Sequence, residues 1–254
     1  TPNIDRLAAG GVTFSRSFCA APACNPSRTA LLSGLRPTTT GVYHNSDDWR
    51  PRIDEPLLLN SWLATAGYRT FGADHHTVEW CIDQLRTPAD RPFFIACGLV
   101  KPHMAFSVPK KWFDLFPLDA IELPPWSADD LGDVPAAGVR MAGPDGDHAA
   151  ILASGRWKEA VQAYLATCAF CDHQVGRLLD ALDASGQADD TIVILWSDHG
   201  WSLGEKSHWR KFALWEEPTR NVMVWRVPGL TPAGRVCGRT VDALAVYPTL
   251  AELL

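Results

Sequence analysis

No stretch of this 254-residue chain is apolar for long enough to cross a bilayer. The longest purely apolar runs, Ile192 to Trp196 and Phe93 to Cys97, fall far short of the roughly 20 residues a membrane helix needs. Positive charge is not in surplus either. The 23 Lys and Arg against 29 Asp and Glu leave a net charge of −6, scattered without a basic stripe, which argues against a nucleic-acid partner. Seven cysteines at irregular spacing are too few for a disulfide scaffold, and their odd number leaves one over, so they do not fix a compartment. There is no internal repeat and no low-complexity tract. The chain opens on Thr1 without a charged segment leading into an apolar one, so any targeting segment is absent or lies upstream. Tyr247 to Leu254 reads as a helix still in progress, and both ends are expected to be cuts.

What is present is a large apolar fraction, 46%, enough for a sizeable core. The clearest helix is expected over Trp157 to Ala184, where Val161, Leu165, Cys168, Val175, Leu179 and Leu182 recur on one face before Gly186 stops it. Thr191 to Trp196 follows as a short β-branched run that predicts a strand buried on both faces. The same grammar recurs. A helix opened by Asp54 and Pro56 leads to a strand over Tyr68 to Ala73, and a helix over Thr77 to Leu85, ended by Thr87-Pro88, leads to a strand over Pro92 to Val100. Val222 to Val227 is a fourth candidate strand. Repeated helix-to-strand steps predict an α/β fold with a mostly parallel central sheet and helices on both faces. Pro117 to Gly155 is expected to be an irregular surface excursion.

In open α/β sheets ligands sit beyond the carboxyl ends of the strands. Lys101-Pro102-His103 and Ser197-Asp198-His199-Gly200 stand at such positions. An Asp-His pair there suits a cation, the carboxylate offering charge and the imidazole a nitrogen, or else serves only as a cap and a solvated ring before a glycine turn. Cys24 stands at the entrance of a helix begun by Pro26 and Ser27 and given a buried face by Leu31, Leu32 and Leu35. A helix N-terminus lowers a thiol's pKa or holds an oxyanion, and Arg28 one turn in would pair with either; the alternative is a small buried cysteine.

The segment Cys24-Asn25-Pro26-Ser27-Arg28, followed by Leu31-Leu32-Ser33-Gly34, resembles the signature of the type I sulfatases, whose cysteine is oxidised to formylglycine. Thr1-Pro2-Asn3-Ile4-Asp5-Arg6-Leu7-Ala8, Lys101-Pro102-His103, Val175-Gly176-Arg177-Leu178-Leu179 and Ser197-Asp198-His199-Gly200-Trp201 with Leu203-Gly204-Glu205 resemble the same family in the same order, closest to its iduronate-2-sulfatase-like branch. The resemblance implies the alkaline-phosphatase-like fold and hydrolysis of a sulfate ester of a sugar or polysaccharide. It implies Cys24 as the formylglycine precursor and one metal ligand, Arg28 as its stabilising partner, and Asp198 with His199 as further ligands of a divalent cation of the calcium type. It also implies Lys101 and Lys211 as sulfate contacts, His103 as proton donor or acceptor, a maturation enzyme as partner, and export from the cytoplasm. In that chemistry one hydroxyl of the hydrated aldehyde attacks sulfur and the second expels sulfate.

Two departures stand out. The family's metal site also uses adjacent aspartates on a strand ahead of the Thr-Pro-Asn segment, so residues 1–254 are expected to be a sulfatase catalytic domain lacking its first strand and C-terminal subdomain. The family's Lys-x-x-x-His element has no match where Ala73 meets Asp74-His75-His76, and that junction reads as a deletion with the two histidines in a solvated turn. Cys168-x-x-Cys171 lies within the helical pattern and reads as core packing rather than a redox or zinc dithiol. His208 is a candidate substrate contact, and Asp47-Asp48 reads as a polar loop. Two further readings stay open: a phosphomonoester or phosphonate hydrolase of the same superfamily, against which Cys24 speaks, and a non-catalytic homologue without metal.

Overall fold

The computed structural model describes residues 1–73, 77–87 and 91–254. The Ala73-Asp74 junction, His75, His76 and Pro88 therefore fall outside the described residues. Helix α1 (Pro2–Ala9) begins on a proline, whose missing N–H costs nothing at a first helical position, and leads into strand β1 (Val12–Phe18). Helix α2 (Cys24–Ser33) ends on Gly34 at φ 69°, the left-handed conformation that caps helices most cheaply with glycine. After the single turn α3 (Pro37–Thr40) come α4 (Leu59–Thr65), β2 (Arg69–Ala73), α5 (Thr77–Arg86) and β3 (Phe93–Cys97), the helix-to-strand alternation expected from the sequence.

Beyond the one-turn α6 (Lys110–Phe113), the stretch from 117 to 155 is not the irregular excursion expected. It holds α7 (Ala136–Ala142) and α8 (Asp147–Ser154), each closed by a left-handed glycine, Gly143 and Gly155, and it buries Ile121, Ala142 and His148. Both helices are two turns of Ala-rich sequence, too short to show a period but favoured by residue propensity. The long helix α9 covers Trp157–Ala184. It is followed by β4 (Val193–Trp196), the two-residue strands β5 (Ser202–Leu203) and β6 (Trp209–Arg210), the turn α10 (Glu216–Thr219), β7 (Arg220–Asn221), β8 (Met223–Arg226), β9 (Arg235–Asp242) and α11 (Val246–Leu253).

The fold is α/β, but the expected mostly parallel sheet is corrected. In the five-stranded sheet β4 pairs β8, β8 pairs β1 and β1 pairs β7, all antiparallel, and only β9 joins β1 in parallel. β2 and β3 form a separate parallel pair. A parallel return needs a crossover, usually a helix. Between β4 and β8 the chain makes the β5–β6 hairpin, short helical turns and the two-residue β7 but no crossover helix, and β8 comes back beside β4 in the opposite direction.

Helices do cover both faces. Along β8, Met223 and Trp225 join Leu31, Leu59, Leu63, Val246 and Leu250 from α2, α4 and α11, while Val224 joins Leu7, Val175 and Leu179 from α1 and α9. β4 alternates likewise, with Ile194 and Trp196 on the first side and Val193 and Leu195 on the second. β4, expected to be buried on both faces, packs on both but only partly buries its side chains, and β3 is likewise partly buried. No helix among the described residues is long and apolar enough to cross a membrane.

Candidate active site

The site is built where the carboxyl end of β4 meets the N-terminus of α2. After Trp196 the chain turns through Ser197-Asp198-His199-Gly200, and four hydrogen bonds fix that turn. Ser197 N–H donates to the Val222 carbonyl at 3.2 Å, Asn221 Nδ2 to the Ser197 carbonyl at 2.7 Å, Ser197 Oγ to the His199 carbonyl at 2.8 Å, and Gly200 N–H to the Pro218 carbonyl at 2.8 Å. A Cβ on Gly200 would overlap the carbonyl oxygens of Glu217 and Arg220, so only glycine closes the turn this tightly. From α2, the fully buried Ser27 donates its hydroxyl to the Asp198 carbonyl at 2.5 Å. Helix and turn are thereby joined, with Cys24 as the first residue of the helix. Asn25 anchors the same end, donating through Nδ2 to the carbonyls of His44 and Asp47. The Asp47 carboxylate accepts the amides of Tyr43 and His44, which hold its pKa below the usual range; it caps its own loop.

Lys211 is the centre of the arrangement. Its ammonium is buried, at 4% exposure, and lies 2.7 Å from Cys24 Sγ, 3.0 Å from His103 Nε2 and 3.1 Å from His199 Nε2. Three N–H donors thus meet three acceptors. The two rings are fixed in a matching way. His103 Nδ1 is 2.8 Å from the Met104 carbonyl and His199 Nδ1 is 2.8 Å from the Gly200 carbonyl. A carbonyl only accepts, so each Nδ1 carries the proton and each Nε2 turns a lone pair inward. Burial holds the His199 pKa below the ordinary imidazole value, with Lys211 and His103 acting in the same direction against Asp198 and the Gly200 carbonyl. A neutral His199 is what the hydrogen bonds require.

Cys24 Sγ lies 3.4 Å from His199 Nε2. Among the described residues, Cys24, Asp198 and His199 form the one group of at least three His, Cys, Asp or Glu whose ligand atoms all lie within 4.8 Å of one another. Arg28 makes no hydrogen bond to Cys24; its Nε donates to Asp198 Oδ2 at 2.7 Å. Lys101 is not gathered in either. Its ammonium bonds the Ala105 carbonyl, and among the described residues it makes no hydrogen bond to Cys24, His103 or Lys211. His208 is turned from its expected role, since both ring nitrogens face backbone carbonyls. Cys168 and Cys171 sit in α9 with burial pushing their thiols up to about 11 and about 12, which fits inert packing.

A family model described as Sulfatase matches residues 1–81 and 71–254. The chain belongs to the sulfatase family. It is 35% identical over 327 residues to a sulfatase of Formosa agariphila and 26% identical over 358 residues to human iduronate 2-sulfatase, covering 100% of this chain in both cases. It spans 64% of the length of each of these relatives. Among solved structures it superposes on a phosphonate monoester hydrolase from Silicibacter pomeroyi with a TM-score of 0.82 at 17% identity, covering 99% of this chain and 67% of that one. A structure determined with its substrate D-glucosamine-2-N,6-O-disulfate gives 0.81 at 18% identity, covering 99% of this chain and 71% of that one. At these identities the likeness is one of fold.

In this member of the sulfatase family the sequence missed three supports of the site. Ser27 was visible only as a helix-start residue, because its partner lies 171 positions away. Asn25 was visible only as the variable position between Cys24 and Pro26. Trp201 was visible only as the last residue of the Ser197–Trp201 motif, yet its ring stacks on His199 at 6.4 Å and stands edge-on to His103 at 5.4 Å, bracing the two imidazoles that face Lys211.

Proposed function

We propose that the protein hydrolyses a sulfate ester of a sugar or polysaccharide, with Cys24 as the precursor of a formylglycine nucleophile. The observation that supports this best is the convergence of Cys24, at the first turn of a helix, with His103 and His199 on the buried Lys211 ammonium. That end of α2 carries the positive end of the dipole, and a buried ammonium faces the same point, so an anion held there is stabilised on two sides. Lys211 would orient the sulfate and offset the charge that grows on its oxygens during cleavage. His103, its proton held on Nδ1 and its Nε2 turned inward, would take or return a proton at Nε2. The hydrated aldehyde would supply a nucleophile that clears itself when sulfate leaves.

The donor set fits a divalent cation, with the imidazole nitrogen departing from the all-oxygen shell that calcium prefers. One carboxylate, one imidazole and the position of Cys24 stand close enough to share an ion. The His199 ring is held by the Gly200 carbonyl so that Nε2 carries no proton and is aimed inward, where Lys211 donates to the lone pair that an imidazole ligand would use. Asp198, His199 and residue 24 would hold the cation, and the remaining places of its shell would go to oxygens. When bound it would act as a Lewis acid toward sulfate oxygens. Lys101 is left as a sulfate contact only if its side chain swings from the Ala105 carbonyl.

The test is to make the protein with a formylglycine-generating enzyme and analyse the Cys24 peptide by mass spectrometry. Exchange of the thiol for an aldehyde, with turnover of an aryl sulfate or sulfated sugar that Cys24→Ser abolishes, is the expected result. Only intact thiol after such co-expression, or faster turnover of a phosphonate or phosphate monoester than of any sulfate ester, would overturn the reading.

A further inference from the structure

We propose that His208 is a positioning residue for Lys211 and that it works as an imidazolium, with a proton on both ring nitrogens. Nδ1 lies 2.7 Å from the carbonyl oxygen of Ala142, and Nε2 lies 2.9 Å from the carbonyl oxygen of Lys211. Both oxygens can only accept, whereas a neutral imidazole has one N–H to give. Either neutral tautomer would set a bare nitrogen lone pair against a carbonyl oxygen at hydrogen-bond distance, in a site only 8% exposed, where no bulk water separates them. The doubly protonated ring is the one form that satisfies both. His103 and His199 supply the contrast within the same site. Each has one carbonyl and one ammonium as partners, and each is satisfied as a neutral ring.

The surroundings suit a cation. Ala142 is the last residue of α7, where carbonyls lack partners inside the helix and carry the negative end of its dipole. The titratable and charged groups on the elements around the ring are Arg140 on α7, Asp147 and His148 on α8, Glu205 and Lys206 before it, Arg210 and Lys211 after it, and Glu216 and Glu217 beyond the Trp215 ring. Most are engaged elsewhere. Asp147 pairs with Arg210, Lys206 with Asp130 and Glu216 with Arg220, while Glu205 accepts the Leu203 amide. Among the described residues no side chain forms an ion pair with the His208 ring, so the two carbonyls are its partners.

The consequence reaches the site through one peptide unit. The Lys211–Phe212 peptide is held at both ends, its carbonyl by His208 and its N–H by the Pro22 carbonyl at 3.1 Å, two residues ahead of Cys24. It lies between Arg210 at φ 79° and Phe212 at φ 76°, left-handed conformations that side chains rarely adopt without outside support. Loss of one proton from His208 would free one carbonyl and loosen the peptide that aims Lys211.

The protonation claim is independent of the sulfatase reading; its catalytic consequence rests on that reading. Nitrogen NMR of the histidine rings at about pH 7 tests the first, with His208 assigned through its backbone or by loss of its signals in His208→Gln. Two protonated ring nitrogens are expected; one bare nitrogen would overturn the proposal. Hydrogen exchange at the Phe212 amide tests the positioning without using activity. His208→Gln, or His208→Asn should the first variant not fold, is expected to speed that exchange about tenfold or more while α9 amides keep their protection, and to lower kcat for a sulfate ester by a similar factor with little change in KM. Unchanged exchange at Phe212 would sink the positioning role. Altered exchange in a protein without sulfatase activity would leave this inference standing and remove the proposed function instead.

Discussion

Asp172, in the middle of α9, closes the first turn of α1 by accepting the Asn3 N–H at 3.1 Å, the Asn3 side-chain amide at 2.9 Å and the Ile4 N–H at 2.8 Å. The carboxylate is 2% exposed and sits at the positive end of the α1 dipole, with two of the helix's orphan amides as partners. Removing it would leave those donors buried without an acceptor. Asp172→Ala is therefore expected to cost about 2–3 kcal/mol, read as a lower urea midpoint at unchanged slope. A midpoint equal to wild type would show that α1 is held by its apolar face alone.

For Lys211, replacement by Ala removes one donor from three acceptors at once, and free sulfate should bind less well. A buried charge-assisted contact is worth about 1.5–3 kcal/mol, so the inhibition constant for sulfate should rise at least about tenfold. Lys101→Ala should raise it far less, because the Lys101 ammonium bonds the Ala105 carbonyl instead of the Cys24 cluster. Equal effects from the two variants would mean that Lys101 swings into the site when sulfate is present.

Much of this was legible along the chain, for identifiable reasons. The limits of α9 could be read directly because 28 residues give a period time to show and Gly186 ends it at φ 74°. Cys24, Asp198 and His199 could be paired on paper because each belongs to a local motif. The sheet direction could not. β1 and β9 carry too many polar residues to read as buried strands, and strand sense is set by the connections, which a pattern of apolar runs does not encode. The present partners of Lys101 and Arg28 could not be read for a related reason: a motif fixes where a Cα sits, but a long flexible side chain chooses among partners that only the folded chain supplies, here Ala105 and Asp198.

Stability should fall on mild acidification, and His148 should carry part of the fall. The ring is 2% exposed, its centroid 4.7 Å from that of Trp157 and 5.5 Å from that of Trp126, and neither nitrogen has a hydrogen-bond partner. Burial holds its pKa below the ordinary 6.5. Above that value the ring is neutral in both folded and unfolded chains and contributes no pH dependence. As pH drops below 6.5 the unfolded chain takes up the proton first, so stability is lost progressively until the lower folded pKa is reached. His199, shifted the same way, adds to this slope. His148→Phe keeps an aromatic between the two tryptophans and should flatten the fall in Tm between about pH 7 and pH 5. A parallel fall in the variant would assign the whole effect to His199 and other groups.

Phe212 offers a separation of stability from activity. Its backbone stands at φ 76°, a strained setting for a bulky residue, while its ring is 54% exposed and lies 5.5 Å from the Lys211 ammonium. Little packing therefore holds the strain in place. Phe212→Ala should keep the strain and lose the ring, whereas Phe212→Gly should lose both. Glycine adopts this conformation freely but gains entropy in the unfolded chain, and the two effects leave it about 1 kcal/mol more stable than the alanine variant. The same freedom acts on the neighbouring peptide, which carries Lys211 and is tied down at the Pro22 and His208 contacts. The glycine variant is thus expected to be the more stable of the two and the slower at sulfate-ester hydrolysis, a stability gain at the expense of a pre-set active-site backbone. Urea unfolding and kcat measured on the same two variants decide it. If glycine proved both more stable and equally fast, the left-handed turn at Phe212 would be strain without a role in aiming Lys211.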